Sequence, residues 1–278
     1  MVEGRYRGFE VSLNDTGIAV FTMNEPEHLN GTTQPMKRDM VEILTQCQMD
    51  DRVRVVVITG TGRAFCAGDD MTGRRRNWDE VQKPTPRIEP GHRDAIGTNE
   101  GLRTMSQALN LAVRNLDKLT VAAVNGIAIQ TGLSLALSCD FRIASSEARL
   151  GSGTLRFGLQ PDEGGHALVV QLIGLAKAMD FFMRNRIIGA DEALALGLVH
   201  QVVAPDELMD RTMELAGELA DGPQVAMRLL KKALYNAAEM PFVHALDDIA
   251  ARTAISDHHP DAREGVASFR EKRKPNFA

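Results

Sequence analysis

Apolar residues alternate with polar ones near the start of the chain and then recur at helical spacing. The alternation over 8–13 and 17–23 predicts two strands joined by a tight turn, a β-hairpin. Residues 35–48 predict an amphipathic helix. Its apolar positions are Met36, Met40, Ile43, Leu44 and Cys47. The continuous run of mostly β-branched residues over 54–60 is typical of a strand buried on both faces.

Strands and helices alternate up to about residue 200, and helices alone follow. Further strands are predicted at 121–124, 141–144 and 199–203. Helices are predicted at 100–117, 133–139, 163–173, 175–184, 191–196, 205–220, 224–237, 241–255 and 260–272. This order favours an α/β core over residues 1–200 and a helical region over residues 201–278.

Two stretches of the pattern indicate more than secondary structure. Residues 74–98 contain Arg74, Arg75, Arg76 and three prolines with little periodicity, so we expect a long mobile loop, and such loops often act as lids. The last predicted helices carry wide apolar faces. These faces include Phe242, Leu246, Ile249 and Ile255. Apolar faces of this kind often mark subunit contacts, so region 201–278 is expected to mediate oligomerisation.

Composition and charge narrow the class of protein. The chain has 278 residues, 44% of them hydrophobic and 25% charged, which is an ordinary globular mixture. A formal net charge of −5 argues against a general nucleic-acid-binding role. No apolar run approaches the roughly 18 residues that a membrane span needs, and the first residues lack a signal-peptide pattern. Cys47, Cys66 and Cys139 show no zinc or redox spacing, so a reduced cytoplasmic location is expected.

Three weak motifs offer alternative chemistries. Gly60–Phe65 follows a strand like a dinucleotide-binding turn, but Phe65 stands where the third glycine belongs. Ser134, Asp162 and His166 occur in the order of an α/β-hydrolase triad. Ser134 is however predicted inside a helix, and Asp162 with His166 is an ordinary i,i+4 pair. Adjacent histidines at 258–259 lack a third ligand, so no metal site is predicted.

Two strand-to-helix turns are more informative. One is Ala64–Met71, in which small residues precede Asp69 and Asp70; the other is Ala123–Gly132. Turns of this kind can expose backbone N–H groups, and two of them could form an oxyanion hole. The alternative is that small residues are there only for tight packing.

The sequence resembles the crotonase superfamily, the enoyl-CoA hydratase/isomerase family, over essentially its whole length. The segments that carry the resemblance are 56–60, 64–70, 122–126, 139–144 and 264–273. The resemblance implies repeated ββα units, a C-terminal helical trimerisation region and acyl-CoA thioesters as substrates. It also implies that the backbone N–H groups of Asp69 and Thr131 hold the thioester carbonyl, although Thr131 replaces the usual glycine.

The same resemblance implies a wider set of contacts with the substrate. Its motifs place the following residues against the acyl-CoA: Ala64, Cys66, Ala67, Gly68, Asp69, Asp70, Met71, Arg74, Gly126, Gln130, Thr131, Ser134, Thr154 and Lys272. The CoA phosphates are expected to meet the arginines at 74–76 and Lys272 from a neighbouring subunit's tail. No cofactor beyond the coenzyme A moiety is implied.

The departures from the family pattern decide the reaction that is expected. Ser134 and Thr154 stand where the family's hydratases use two glutamates, and neither can act as a general base near neutral pH. Residues 158–165 match the GLxPDxGG pattern of the isomerase branch, in which the aspartate at the position of Asp162 moves a proton on the acyl chain. Glu163 is the neighbouring acid. The alternative is that both acids only cap the helix that follows.

The sequence therefore predicts a cytoplasmic enoyl-CoA isomerase of crotonase fold, a homotrimer or dimer of trimers that binds neither nucleic acid nor membranes. Asp162, Glu163, Asp69 and Thr131 are the candidate catalytic residues. Three alternatives stay open: an enoyl-CoA hydratase, a hydrolase or C–C lyase assisted by Glu163 or His166, and an acyl-CoA-binding protein without turnover.

Overall fold

The computed structural model describes residues 1–73 and 76–277. In that part of the chain the strands are β1 Gly4–Tyr6, β2 Phe9–Leu13, β3 Ile18–Met23, β4 Val55–Gly60, β5 Ala64–Cys66, β6 Leu119–Val124, β7 Ile127–Ile129, β8 Phe141–Ser145, β9 Arg149–Gly151, β10 Ile187–Gly189 and β11 Gln201–Val203. The helices are α1 Gln34–Met49, α2 Ala95–Gly101, α3 Gln107–Asn115, α4 Thr131–Ser138, α5 Gly165–Ile173, α6 Leu175–Met183, α7 Ala190–Leu196, α8 Leu208–Ala220, α9 Gln224–Ala237, α10 Phe242–Asp257 and α11 Pro260–Glu271. A π-helical turn, Leu102–Ser106, joins α2 to α3.

A large sheet has the strand order β1-β2-β3-β4-β6-β8-β11. The first three strands are antiparallel, which confirms the predicted hairpin, and the strands from β3 to β11 run parallel. Strand β4 is buried on both faces, as its β-branched composition predicts. Val56 and Ile58 join one apolar layer, whereas Val55 and Val57 join the other.

A second, smaller sheet has the order β10-β9-β7-β5. Each of its strands has only three residues, too few for a periodic pattern, and the sequence analysis missed β5, β7, β9 and β10 as strands. Three times in succession the chain enters the large sheet, crosses to the small sheet and then forms a helix. These repeated ββα units are the predicted crotonase-type architecture.

Helices cover the large sheet on both faces. Helices α1, α3 and α4 bury the larger apolar layer, and α8 packs Leu208 and Ala216 against Val57 and Ile143 on the other face. Strand β11 pairs with β8 in the large sheet, and α8 packs on the face of the same sheet. The domain boundary at residue 200 stays a prediction; α8 and α9, which lie beyond it, both contact the large sheet.

Helices α10 and α11 retain exposed apolar side chains, as predicted. Phe242 is 79% exposed and Phe269 is 84% exposed, and Leu246 and Ile255 lie on the same pair of helices. The expected trimer would cover such surface, but the oligomeric state stays a prediction.

The described part of the loop predicted over 74–98 lies along the N-terminal hairpin. Gln82 N–H donates to Arg5 at 2.9 Å, and Arg7 Nη2 donates to the carbonyl of Thr85 at 2.8 Å. The prediction was wrong at its end, because α2 begins at Ala95. The side chain of Asp94 accepts the N–H of Ile96 and so starts that helix. Arg74 and Arg75 lie outside the described residues.

Gly126 gives a test of backbone packing between the two sheets. A Cβ atom there would lie 2.2 Å from the carbonyl oxygen of Arg63, which is rigid backbone. We expect Gly126→Ala to lower the free energy of unfolding by about 1–3 kcal/mol. Gly217→Ala is the matched control, because no atom lies within 4 Å of its Cβ and alanine favours helix α8. Urea unfolding of both variants measures the difference, and equal stabilities would contradict the packing argument.

The three cysteine thiols give a test of core burial. Burial raises the pKa of Cys47, Cys66 and Cys139 to about 12 each. Since the thiolate is the reactive form, the native protein at pH 8 should react with a chromogenic disulfide only through unfolding. The expected result is no release of chromophore from native protein and release from all three thiols in denaturant. One rapidly reacting thiol in the native protein would contradict it.

Candidate active site

Two chain turns meet at the edge of the small sheet. One follows β5 and contains Gly68 and Asp69; the other begins α4 at Thr131. Gly132 allows the approach, because a Cβ atom there would lie 2.0 Å from the carbonyl oxygen of Cys66. Gly68 has φ +106°, a conformation that side-chain-bearing residues rarely adopt. The two turns that sequence analysis singled out are therefore neighbours in space.

The backbone N–H groups of Asp69 and Thr131 are suited to holding a carbonyl oxygen. Thr131 is the first residue of α4, where N–H groups have no partner within the helix and carry the positive end of its dipole. Apart from hydrogen bonds within regular strands and helices, neither N–H group donates to a backbone carbonyl of residues 1–73 or 76–277. The side chains connect the same two turns, since Thr131 Oγ1 donates to Asp69 Oδ1 at 2.9 Å.

The Asp69 carboxylate is anchored from below by a lysine that sequence analysis missed. Lys37 Nζ lies 2.6 Å from Asp69 Oδ1, and Thr32 Oγ1 donates to the same oxygen at 2.8 Å. The Lys37 side chain is fully buried, whereas 45% of the Asp69 side chain is exposed. A signal was present, because Lys37 lies three residues before Met40 and seven before Leu44 on the apolar face of α1.

Glu163 completes this buried cluster. Its Oε1 atom accepts from Lys37 Nζ, which also donates to Ser106 Oγ at 3.1 Å. Burial raises the pKa of Glu163 above its ordinary value, and the ammonium of Lys37 opposes the rise. Burial also lowers the pKa of Lys37, but the carboxylates of Asp69 and Glu163 outweigh it and raise that pKa overall. The carboxylate of Glu163 thus contacts Lys37 beneath the two turns.

Asp162 lines a separate, mainly apolar cavity of about 580 Å³. The apolar side chains of this cavity include Leu102, Leu155, Val170, Leu175, Met179 and Phe182. Gln130 Nε2 donates to Asp162 Oδ1 at 2.9 Å, and Gln107 Nε2 donates to the Asp162 carbonyl at 2.8 Å. Gln130 directly precedes Thr131, so one residue connects the N–H pair to this carboxylate.

The capping role considered for Asp162 and Glu163 is wrong. Helix α5 begins at Gly165, two residues later than predicted, and its N-cap is Gly164 at φ +94°. No side chain of the described residues caps this helix. Both acids are therefore held by tertiary contacts.

The resemblance placed Ser134 and Thr154 where hydratases of the family carry two glutamates, and that correspondence stays a prediction. Ser134 is buried inside α4, and its Oγ lies against Gly165 of α5. Thr154 is half-buried and shares a hydrogen bond of 2.8 Å with Ser152 Oγ. Because serine and threonine have no carboxylate, neither Ser134 nor Thr154 supplies an acid to the site.

The other predicted contact residues have mixed positions. Ala64 and Cys66 are buried in β5, and the carbonyl of Ala64 accepts from Asn125 Nδ2 at 3.0 Å. Ala67 is half-buried and donates its N–H to Leu29. Met71 and Lys272 are exposed, Lys272 at the end of α11. Their contact with CoA stays a prediction, as does that of Arg74.

Arg76 corrects the expectation that three arginines meet the CoA phosphates. Its side chain is buried, and Nη2 donates to Asp70 Oδ2 and to the Gly31 carbonyl, both at 2.8 Å. Burial opposes ionisation, yet hydrogen bonds from Thr72 and Arg76 lower the pKa of Asp70 to about 2. Arg76 is thus engaged with Asp70 beneath the loop surface.

The weaker motifs do not form sites. The turn at Gly60–Gly62 leads into β5 rather than into a phosphate-binding helix. His166 lines the apolar cavity, whereas Ser134 is not among the residues that line it. His259 accepts the N–H of Asp261 at the start of α11. Within residues 1–73 and 76–277, no three histidine, cysteine or acidic side chains are grouped to hold a metal ion. No helix in that part combines the length and apolarity of a bilayer span.

Comparisons with known proteins agree with this architecture. A sequence model of the enoyl-CoA hydratase/isomerase family matches residues 14–278. The 1,2-epoxyphenylacetyl-CoA isomerase of Escherichia coli (strain K12) is 32% identical over 272 residues, which cover 97% of this chain and 98% of that protein. The short-chain-enoyl-CoA hydratase of Clostridium acetobutylicum is also 32% identical, over 92% of each chain. An enoyl-CoA hydratase structure from Bacillus anthracis matches with a TM-score of 0.87 at 29% identity, covering 97% of this chain and 98% of that one. The chain therefore belongs to the enoyl-CoA hydratase/isomerase family and has the crotonase fold.

Proposed function

We propose that this enzyme is an enoyl-CoA isomerase, which shifts a double bond along an acyl-CoA thioester. The observation that carries the proposal is the Asp162 carboxylate at an apolar cavity, connected through Gln130 to the turn that carries the Thr131 N–H donor. Serine and threonine stand at the two positions where the resembling hydratases use glutamates. Moving a proton requires one acid–base group, whereas adding water normally requires two.

The proposed reaction begins when the thioester oxygen accepts hydrogen bonds from the N–H groups of Asp69 and Thr131. These donors stabilise negative charge on that oxygen, which acidifies the carbon next to the carbonyl. The Asp162 carboxylate removes a proton from that carbon, and the electrons of the broken C–H bond delocalise into the thioester enolate and the adjacent double bond. Asp162 then returns the proton two carbons further along the chain, and the double bond is left in conjugation with the carbonyl.

Environment decides whether Asp162 can act as a base. The apolar lining of the cavity suits an acyl chain, which would place the substrate carbons beside the Asp162 carboxylate and displace water from it. The hydrogen bond from Gln130 Nε2 fixes Asp162 Oδ1, so its second oxygen is the one proposed to take the proton.

Hydration remains the second candidate, since hydratases are found among relatives at similar identity. The test incubates each of a panel of enoyl-CoA thioesters with the enzyme in heavy water and measures the mass of the product by mass spectrometry. We expect deuterium to enter without the added mass of water, together with a shift of the double bond. A product heavier by one water would identify a hydratase, and loss of the acyl group would identify a hydrolase. Tight binding without any product would indicate an acyl-CoA-binding protein.

Asp162→Asn tests the assignment of the base. Asparagine keeps the size of the side chain and can still accept from Gln130 Nε2, but it cannot take a proton. Turnover and deuterium exchange should fall by about 10²–10⁴-fold. Affinity for a saturated acyl-CoA, measured by calorimetry, should be nearly unchanged.

Asp191→Asn is the matched control, because Asp191 is an exposed acid in the first turn of α7 and does not line the cavity. It should leave turnover unchanged. Full activity of Asp162→Asn would contradict the assignment, and loss of activity only in Glu163→Gln would move the role to Glu163.

A further inference from the structure

A buried lysine lies directly beneath one of the two N–H donors. Lys37 Nζ contacts Asp69 Oδ1 at 2.6 Å, Ser106 Oγ at 3.1 Å and Glu163 Oε1. An ammonium has three N–H groups, and these three acceptors match them in number. The Lys37 side chain has no exposed surface, so it is fixed in the floor of the site and does not extend to solvent.

The carboxylate that Lys37 contacts presents an electrostatic problem for the proposed chemistry. Asp69 supplies an N–H group to the thioester oxygen, yet its own side chain carries negative charge in the same residue. Glu163 adds a second acid within the same buried cluster. A developing enolate would be repelled by both charges. The repulsion strengthens where a bound thioester excludes water from Asp69, whose side chain is otherwise 45% exposed.

We propose that Lys37 is a positioning residue of the thioester site, whose buried ammonium offsets the Asp69 and Glu163 carboxylates so that the Asp69 and Thr131 N–H groups can hold an enolate. The inference rests on the proposed function in assuming that an enolate forms at this pair. It is independent of which residue moves the proton.

The contacts of Lys37 also hold the Asp69 turn in place. Asp69 Oδ1 is shared by Lys37, Thr32 and Thr131, so the ammonium ties α1 to the turn after β5 and to the start of α4. Ser106, its third partner, lies in the π-helical turn before α3. Loss of the ammonium would therefore alter both the charge beside the N–H pair and the position of the Asp69 turn.

The test uses acetoacetyl-CoA, a β-ketoacyl thioester whose enolate absorbs in the near ultraviolet. Titrating the bound ligand with pH reports how strongly the site stabilises an enolate, without any turnover. In the wild-type enzyme the pKa of bound acetoacetyl-CoA should lie below that of the free ligand. In Lys37→Met it should rise by about one unit or more, a tenfold loss of enolate at a given pH, because the carboxylates are no longer compensated.

Two further variants separate charge from loss of packing. In Lys37→Met with Asp69→Asn both members of the ion pair are neutral, so the pKa of the bound ligand should return towards the wild-type value. Lys231→Met is the matched control, because Lys231 is another buried lysine, paired with Asp140 at 2.8 Å outside the site. It should lower stability without changing the pKa of the bound ligand. A purely structural role for Lys37 would give the same result as Lys231.

The outcomes distinguish this proposal from the proposed function. If wild-type enzyme leaves the pKa of acetoacetyl-CoA at its free value, the site does not hold an enolate and both proposals fall. If wild type and Lys37→Met lower the pKa of acetoacetyl-CoA equally from its free value, only the role of Lys37 is overturned. If the pKa of the bound ligand is higher in Lys37→Met than in wild type while Asp162→Asn retains turnover, the role of Lys37 stands and the base is another group.

If Lys37→Met fails to fold, Asp69→Asn alone tests whether charge at this cluster affects the bound enolate. It keeps the backbone N–H and the ammonium but removes one negative charge. The pKa of bound acetoacetyl-CoA should then fall below the wild-type value. An unchanged value would overturn the proposal.

Discussion

The site depends on one close backbone approach, that of the start of α4 to the end of β5. No side chain fits at Gly132, because its Cβ would lie 2.0 Å from the carbonyl oxygen of Cys66. Gly126 makes a similar approach to Arg63 at the other end of the same connection. These contacts bring Asp69 beside Thr131, and the Thr131 hydroxyl then bonds the Asp69 carboxylate. Two N–H groups that are 62 residues apart in sequence become a pair only through this packing.

Charge beneath the pair is the second constraint. A buried carboxylate is costly unless it is paired, and a buried lysine is equally so. Lys37 meets both demands, since its ammonium contacts Asp69 and Glu163 together. This pairing explains why α1 can carry a lysine on its apolar face. Removing one member of the cluster would leave uncompensated charge. Family resemblance alone would not reveal this cluster, because the expected contact at Asp69 is to the backbone.

The sequence was a good guide to elements with strong periodicity and a poor one to short strands and side-chain partners. Strand β4 and helix α1 were predicted within one residue of their observed ends, because their apolar positions repeat over several turns or along a whole strand. Strands of three residues such as β7 contain no repeat to detect. Lys37 and Glu163 are 126 residues apart, and nothing local in either segment indicates the other. Arg76 was assigned to phosphate because it belongs to a run of three arginines that follows the Asp69 turn, whereas Asp70 holds its side chain in the interior.

Gln130 joins the two halves of the site through a backbone conformation that most residues avoid. Its φ of +50° is unfavourable for a residue with a side chain, and such strain persists only where surrounding contacts impose it. Its N–H donates to the Gly151 carbonyl at 3.0 Å, and its side chain donates to Asp162. The next residue, Thr131, begins α4 and supplies an N–H donor. One residue thus links an N–H group that would bind the thioester oxygen to the carboxylate that would move the proton. In the proposed isomerisation, the separation of these two groups would determine which carbons of the acyl chain the carboxylate reaches.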